Sequence, residues 1–185
     1  MEIVEKVLTD ALILKPRVFK DDRGYFYESF NENVFETLSG IKVNFIQDNQ
    51  SYSSKGTLRG LHFQKGPSAQ AKLVRVTKGS VYDVAVDLRP DSPTFKKWYG
   101  VELSEDNHLQ FFIPRGFAHA FVALEDNTIF QYKVDNYYSN INDGGIIWND
   151  KELAIKWPEL NLELSSKDLK LQKLEAINIL ELWKD

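Results

Sequence analysis

Short apolar segments rich in Val, Ile, Phe and Tyr recur along the chain: "ALILKPRVF", "GYFYESF", "VNFIQDNQS", "TLRGLHFQ", "AKLVRVTKG", "SVYDVAVDLR", "KWYGVELSEDN", "LQFFIPRG", "FAHAFVALEDN" and "TIFQYKVDNYY". Turn-forming clusters such as "DDRG", "SSKG", "RPDSP" and "SEDN" separate them. Short β-branched and aromatic runs punctuated by Gly, Pro, Asn and Asp predict many short strands closing into a sandwich or barrel. Two stretches break the pattern. "NENVFETLSGI" predicts a short helix over about residues 31–39, ending at Gly40. After Trp157, "SSKDLKLQKLEAINILELW" offers an N-cap at Ser165 or Ser166 and leucines at near-helical spacing, which predicts a helical tail from about residue 165. The expectation is one mainly β domain over residues 1–185 with a few short peripheral helices.

Side chains alternate between the two faces of a strand, so parity assigns neighbours. Lys72 shares a face with Val74 and Val76, Tyr132 with Phe130 and Val134, Asp83 with Val81 and Ala85, and His62 with Leu58. Each ionisable group therefore sits in an otherwise apolar row. Burying such a group costs several kcal/mol unless it is paired. Taken singly, each has a plain structural role: a hydrogen-bonded histidine, a tyrosine with its hydroxyl at the rim, a lysine reaching solvent, an aspartate bonding a turn or Lys72. Their recurrence on successive strands predicts a shared cavity inside the barrel.

The chain has 185 residues, 43% of them hydrophobic, enough for one well-filled core. Its net charge of -4 and pI near 5.5 lack the basic excess of a nucleic-acid or membrane-surface binder, yet leave room for a small anionic ligand held by a local basic cluster. Cysteine is absent, which excludes disulfides, thiolate nucleophiles and Cys-ligated zinc. No apolar run approaches the roughly 18 residues of a membrane span. The N-terminus is acidic where a secretory signal would be basic, so a cytoplasmic protein is expected. "IPRGFAHAF" places Pro114, Gly116 and His119 in the P-x-G-x-x-H spacing that resembles the second cupin motif. Only three histidines exist, and the first-motif region offers His62 alone, too few donors for a His-rich facial metal site. No metal is expected.

From about Pro16 to Asp168 the segments "PRVFKDDRGYFYESFN", "FIQDNQS", "KGTLRGLHFQ", "AQAKLVRV", "VYDVAVDLR", "SPTF", "IPRGFAHAF" and "YKVDNYY" follow in order and resemble the dTDP-4-dehydrorhamnose 3,5-epimerase family, a metal-free branch of the cupin superfamily. The resemblance implies a cupin-type jelly-roll β-barrel and an epimerase of a nucleotide-linked 4-keto-6-deoxy sugar, with the dTDP-rhamnose precursor as the leading substrate. Single-carbon epimerases, enzymes of other nucleotide-linked 4-keto sugars including a GDP-linked heptose, and sugar-nucleotide 3,4-ketoisomerases are the alternatives. The chemistry suits the residues. The C3 and C5 protons of a 4-keto sugar flank the carbonyl. Removing one gives an enolate, and reprotonation on the opposite face inverts the centre. Such a base needs a pKa near working pH, which histidine has.

By resemblance His62 is the base, Asp168 its partner, Tyr132 the acid, and Lys72 the cation beside the carbonyl oxygen. Arg23 and Arg59 match diphosphate ligands. Gln47, Asp48, Asn49, Glu28, Asp83, His119 and Lys167 match further substrate contacts, and Phe19, Phe26 and Tyr138 offer faces to the base. Asp143 stands where many members have glutamate, one methylene longer, which leaves substrate choice open. No cofactor is implied, and no G-x-G-x-x-G fingerprint is present. The resemblance also implies a homodimer that exchanges N-terminal strands. Arg59 and His62 differ in parity yet are assigned to one ligand. Gly60 between them therefore predicts a bulge or other backbone irregularity.

Overall fold

The computed structural model describes residues 1–184. In chain order its elements are β1 (Glu2–Val7), β2 (Ala11–Lys15), β3 (Phe19–Asp21), β4 (Gly24–Phe26), α1 (Glu32–Ser39), β5 (Gln47–Ser53), β6 (Leu58–Gln64), β7 (Lys72–Lys78), β8 (Ser80–Asp87), β9 (Trp98–Ser104), β10 (Gln110–Ile113), β11 (Phe117–Ala123), β12 (Thr128–Val134) and β13 (Asp143–Gly145). One sheet orders its strands β1-β2-β10-β7-β12-β5, the other β13-β6-β11-β8-β9, and β3 and β4 form a separate hairpin. The pairings within these sheets are antiparallel. This is the jelly-roll barrel the sequence led us to expect.

The centre of the five-stranded sheet is covered on both faces, which explains a strand such as "FAHAFVA" that is buried at every position, whereas edge strand β5 of the other sheet alternates exposed and half-buried residues. Between the sheets, Val74, Val76, Val81, Ala85, Phe111, Phe117, Phe121 and Phe130 fill the interior, with Tyr132 packed against them. Leu12, Leu14, Leu73 and Phe112 on the outside of the six-stranded sheet are covered by Phe35 of α1 and by Val43. That helix starts where predicted: the Asn31 side chain accepts from Val34 N–H, and Gly40 closes it in a left-handed conformation at φ 71. Strand β1 went unpredicted because most of its positions are exposed, as suits the edge of a sheet.

The C-terminal tail corrects the expectation of a helix from about residue 165. It is three separate 3₁₀ turns, Asp168–Lys170, Leu174–Ala176 and Ile179–Glu181. Leu174 and Leu182 are buried against Leu61, Phe63, Val84, Val86 and Ile146 on the outside of the five-stranded sheet. To lie there, the tail gives its backbone groups to other segments. Leu174 N–H donates to Asp150 Oδ2 at 2.8 Å, the Gln172 carbonyl accepts from Ile147 N–H at 2.8 Å, and the Leu182 carbonyl accepts from Gly66 N–H at 2.8 Å. A continuous helix would spend those groups on its own ladder. The predicted cap survives locally: Ser165 Oγ accepts from Asp168 N–H at 3.1 Å.

The irregularity predicted at Gly60 is present. Along the β6–β11 pairing, His62 lies opposite His119 and Arg59 opposite Phe121, so β6 holds one more residue than its partner over that span. Gly60 has φ +128, and its peptide bond to Leu61 is cis. His119 and Phe121 share a face on the regular β11, so Arg59 and His62 share it too. The expected pairing of His62 with Leu58 is corrected by the same bulge, because Leu58 lies opposite Val122, in the other row. A Cβ at Gly60 would overlap the Ala120 side chain and approach the His119 carbonyl oxygen to 2.7 Å. Gly60→Ala is therefore expected to destabilise the fold by about 2 kcal/mol or more. Chemical denaturation measures it, and an unchanged midpoint would show that the bulge does not need glycine.

Candidate active site

A cavity of about 580 Å³ opens between the two sheets. Strand β6 contributes Arg59 and His62, β11 contributes His119, β7 Lys72, β12 Tyr132, and the tail Lys167 and Asp168. Three of the four ionisable groups singled out by parity thus line one space, from facing sheets. The fourth, Asp83, is fully buried directly behind it. Phe121 and Phe130, stacked with ring centroids 4.2 Å apart, give the cavity an apolar wall. As ordinary core aromatics they carry no site signal in the sequence, although Phe121 sits two positions from His119 and Phe130 two from Tyr132, on the same strand faces.

His62 Nε2 meets Asp168 Oδ1 at 2.5 Å. Burial pushes the Asp168 carboxyl up, but the hydrogen bond and charge of His62, the Ser165 hydroxyl and the Lys167 ammonium outweigh it and hold the group below its usual range. An ionised carboxylate only accepts hydrogen bonds. In the neutral ring, Nε2 therefore carries the hydrogen and Nδ1 the lone pair.

Beside this pair, on the neighbouring strand, lies a second one. His119 Nε2 meets both Asp83 oxygens, at 3.0 Å and 2.9 Å. Burial acts on both partners, raising the Asp83 carboxyl and lowering the His119 ring. Asp83 thus has a histidine partner and not Lys72, one of the roles open to it from sequence. The Lys72 ammonium stands 5.9 Å from the centroid of the Tyr132 ring. Burial pulls this lysine down to about 8, against the opposing pull of Asp83 and Asp143. Burial raises the Tyr132 hydroxyl, with Arg59 opposing, so the phenol is protonated at neutral pH. Arg59 is anchored at Nε by Ser53 Oγ and at one terminal nitrogen by the Tyr52 carbonyl, both at 3.3 Å.

Other expected site residues lie outside this cavity. Phe19, Arg23 and Phe26 sit on the β3–β4 hairpin with Glu28 just beyond it, all exposed. Arg23 makes a turn contact, its guanidinium paired with Asp21 at 2.6 Å. Gln47, Asp48 and Asn49 lie on edge strand β5, where Gln47 donates to Asn49 at 2.9 Å and Asp48 pairs with Lys133. Tyr138 stands on the loop beyond β12, its N–H donating to Gln47 Oε1 at 3.4 Å. Asp143 pairs with Lys167 at the cavity rim.

Comparison with known proteins follows the same lines. The family model described as dTDP-4-dehydrorhamnose 3,5-epimerase matches residues 5–176. The chain is 55% identical to the dTDP-4-dehydrorhamnose 3,5-epimerase of Escherichia coli over 98% of its own length and 99% of that protein. Among solved structures, the enzyme of that name from Bacillus anthracis, with TDP and PPi bound, is 57% identical, covers 94% of this chain and 99% of its own, and superimposes with a TM-score of 0.91. The dTDP-6-deoxy-D-glucose-3,5-epimerase of Legionella pneumophila, in complex with dTDP-4-keto-L-rhamnose, reaches a TM-score of 0.94 at 44% identity, covering 100% of this chain and 98% of its own. With its barrel, its cavity and these relatives in agreement, the chain belongs to the dTDP-4-dehydrorhamnose 3,5-epimerase family.

Proposed function

We propose that this chain is a cofactor-independent epimerase that inverts C3 and C5 of dTDP-4-dehydro-6-deoxyglucose to give dTDP-4-dehydrorhamnose. The observation that carries the reading is a single cavity in which a histidine–carboxylate pair on one side faces a tyrosine and a lysine on the other. His62 Nδ1 removes the proton from C3 or C5, and the electron pair moves onto the C4 oxygen. The Lys72 ammonium stabilises that enolate oxygen. The Tyr132 hydroxyl returns a proton from the opposite face, which its place on the facing sheet favours. Each inversion leaves His62 with one proton more and Tyr132 with one fewer, and exchange with water restores both. Asp168 holds the ring of His62.

The diphosphate falls to Arg59, and the sugar to His119, backed by Asp83, with Asp143 and Lys167 at the rim. The nucleoside falls to Gln47, Asp48, Asn49 and Tyr138. The Legionella relative holds dTDP-4-keto-L-rhamnose, the product of this scheme.

The functional unit in this reading is a homodimer that exchanges N-terminal strands. Phe19 and Phe26, 52% and 70% exposed, stand on a hairpin hydrogen-bonded to neither main sheet. An aromatic hairpin with half or more of its phenylalanine surface exposed suits a neighbour's site, where Phe19, Arg23, Phe26 and Glu28 would meet the nucleotide.

In deuterated water the protein should place deuterium at both C3 and C5 of the 4-keto sugar, read by NMR; absence of label at both carbons would sink the reading. His62→Ala should slow exchange by roughly a hundred- to ten-thousand-fold. Tyr132→Phe should impair inversion more than initial proton removal, and equal effects would remove Tyr132 from the acid role. Above pH about 8 the Lys72 ammonium loses its proton, so kcat/KM should fall through that region. The fall should vanish in the much slower Lys72→Met enzyme; persistence there would assign it to another group. Mixing Arg23→Ala with His62→Ala subunits should restore about a quarter of wild-type activity, because half the dimers become mixed and each gains one intact site. No recovery on mixing would mean that each hairpin serves its own chain.

A further inference from the structure

Gln64 closes β6, two residues beyond His62, and is only 5% exposed. Both ends of its amide are used. The carbonyl oxygen accepts from Ser139 N–H at 2.8 Å, and the nitrogen donates to Asp143 Oδ1 at 3.2 Å. Asp143 lies directly opposite Gln64 in the β13–β6 pairing, and its other oxygen holds the Lys167 ammonium. Lys167 precedes Asp168, whose carboxylate holds His62. The contacts form a closed ring: His62, along β6 to Gln64, across to Asp143, on to Lys167 and Asp168, and back to His62. Ser139 ties a second segment to that ring, since it follows Tyr138 on the loop fastened to β5 through Gln47.

A buried glutamine with both ends satisfied is common, and packing alone is a sufficient reason for one. Here its partners, Ser139 and Asp143, are the two ends of one short stretch that joins two parts the chemistry needs in register. One carries Tyr138, a nucleotide-facing aromatic in the reading above. The other, through Asp143, holds Lys167, which precedes Asp168. We infer that Gln64 is a positioning residue that couples the Tyr138 loop to the His62–Asp168 pair, so that nucleotide binding and the geometry of the base are set together. The inference rests on the epimerase reading of the cavity.

The test exploits the polarity of the amide. Gln64→Glu keeps an acceptor for Ser139 N–H but turns an oxygen toward Asp143. Adding Asp143→Asn reverses that bond: the new amide donates to the new carboxylate and still offers Lys167 an oxygen. Gln64→Glu alone should lower kcat for deuterium exchange about ten- to a hundredfold, as expected for a displaced base, and should weaken calorimetric binding of dTDP. Because Asp143 also stands at the sugar rim, the double variant is compared with Asp143→Asn alone, and it should lie much closer to that reference than the two single losses combined would place it. If Gln64→Glu does not fold, Gln64→Met removes both bonds at similar volume and should show the same paired loss. A variant that lowers only the melting temperature, with kcat, KM and dTDP affinity intact below it, overturns the inference. So does a double variant whose loss equals the two single losses combined. Failure of the epimerase reading itself appears separately, as absence of exchange in the unaltered protein.

Discussion

Two histidine–carboxylate pairs stand where the barrel would otherwise be hydrocarbon, and the rest of the site is arranged around that fact. An ionisable group without a partner in such a place costs several kcal/mol. His119 and Asp83 satisfy one another deep inside, from neighbouring strands of the same sheet. His62 cannot be satisfied in that way, because its carboxylate comes from Asp168, far along the chain. The chain must therefore turn in at Asp168, and the tail beyond it returns to the outer face of the five-stranded sheet. The Ser165 cap fixes that turn, and Leu174 and Leu182 anchor the 3₁₀ turns that follow it.

The same dielectric logic sets the character of each group. A lysine drawn down to about 8 remains a cation at neutral pH but holds its proton loosely. A phenol raised by burial stays protonated and able to donate. A carboxylate kept ionised by its neighbours directs the histidine it touches. The stacked Phe121 and Phe130 form an apolar wall beside these groups, which lowers the local dielectric around them.

Much of this was legible in the residue pattern, for identifiable reasons. Strand faces follow from parity, so Lys72, Asp83 and Tyr132 could be assigned to the interior before any pairing was known. The bulge at Gly60 was legible because Arg59 and His62 were required on one face and a glycine separated them. Partners were harder to see. That Asp83 meets His119 depends on the β8–β11 register, which no local pattern encodes. Strand β13 is "DGG", too short and polar to announce a strand, yet it seats Asp143 opposite Gln64. The tail misled because its leucine spacing suits a helix, while Leu174 and Leu182 are committed to a sheet surface that the segment itself does not reveal. The hairpin residues carry the opposite lesson. Their turn chemistry was read correctly, and the local Arg23–Asp21 pair is what a single chain offers them.

The separation of His62 from its carboxylate has a consequence for how the protein is made. A ribosome releases the chain from its N-terminus onward, so both sheets can pair while the segment carrying Asp168 is still inside the exit tunnel. The imidazole of His62 therefore meets its carboxylate only after the strands around it have left the ribosome, so the tail docks onto a surface that can already be formed.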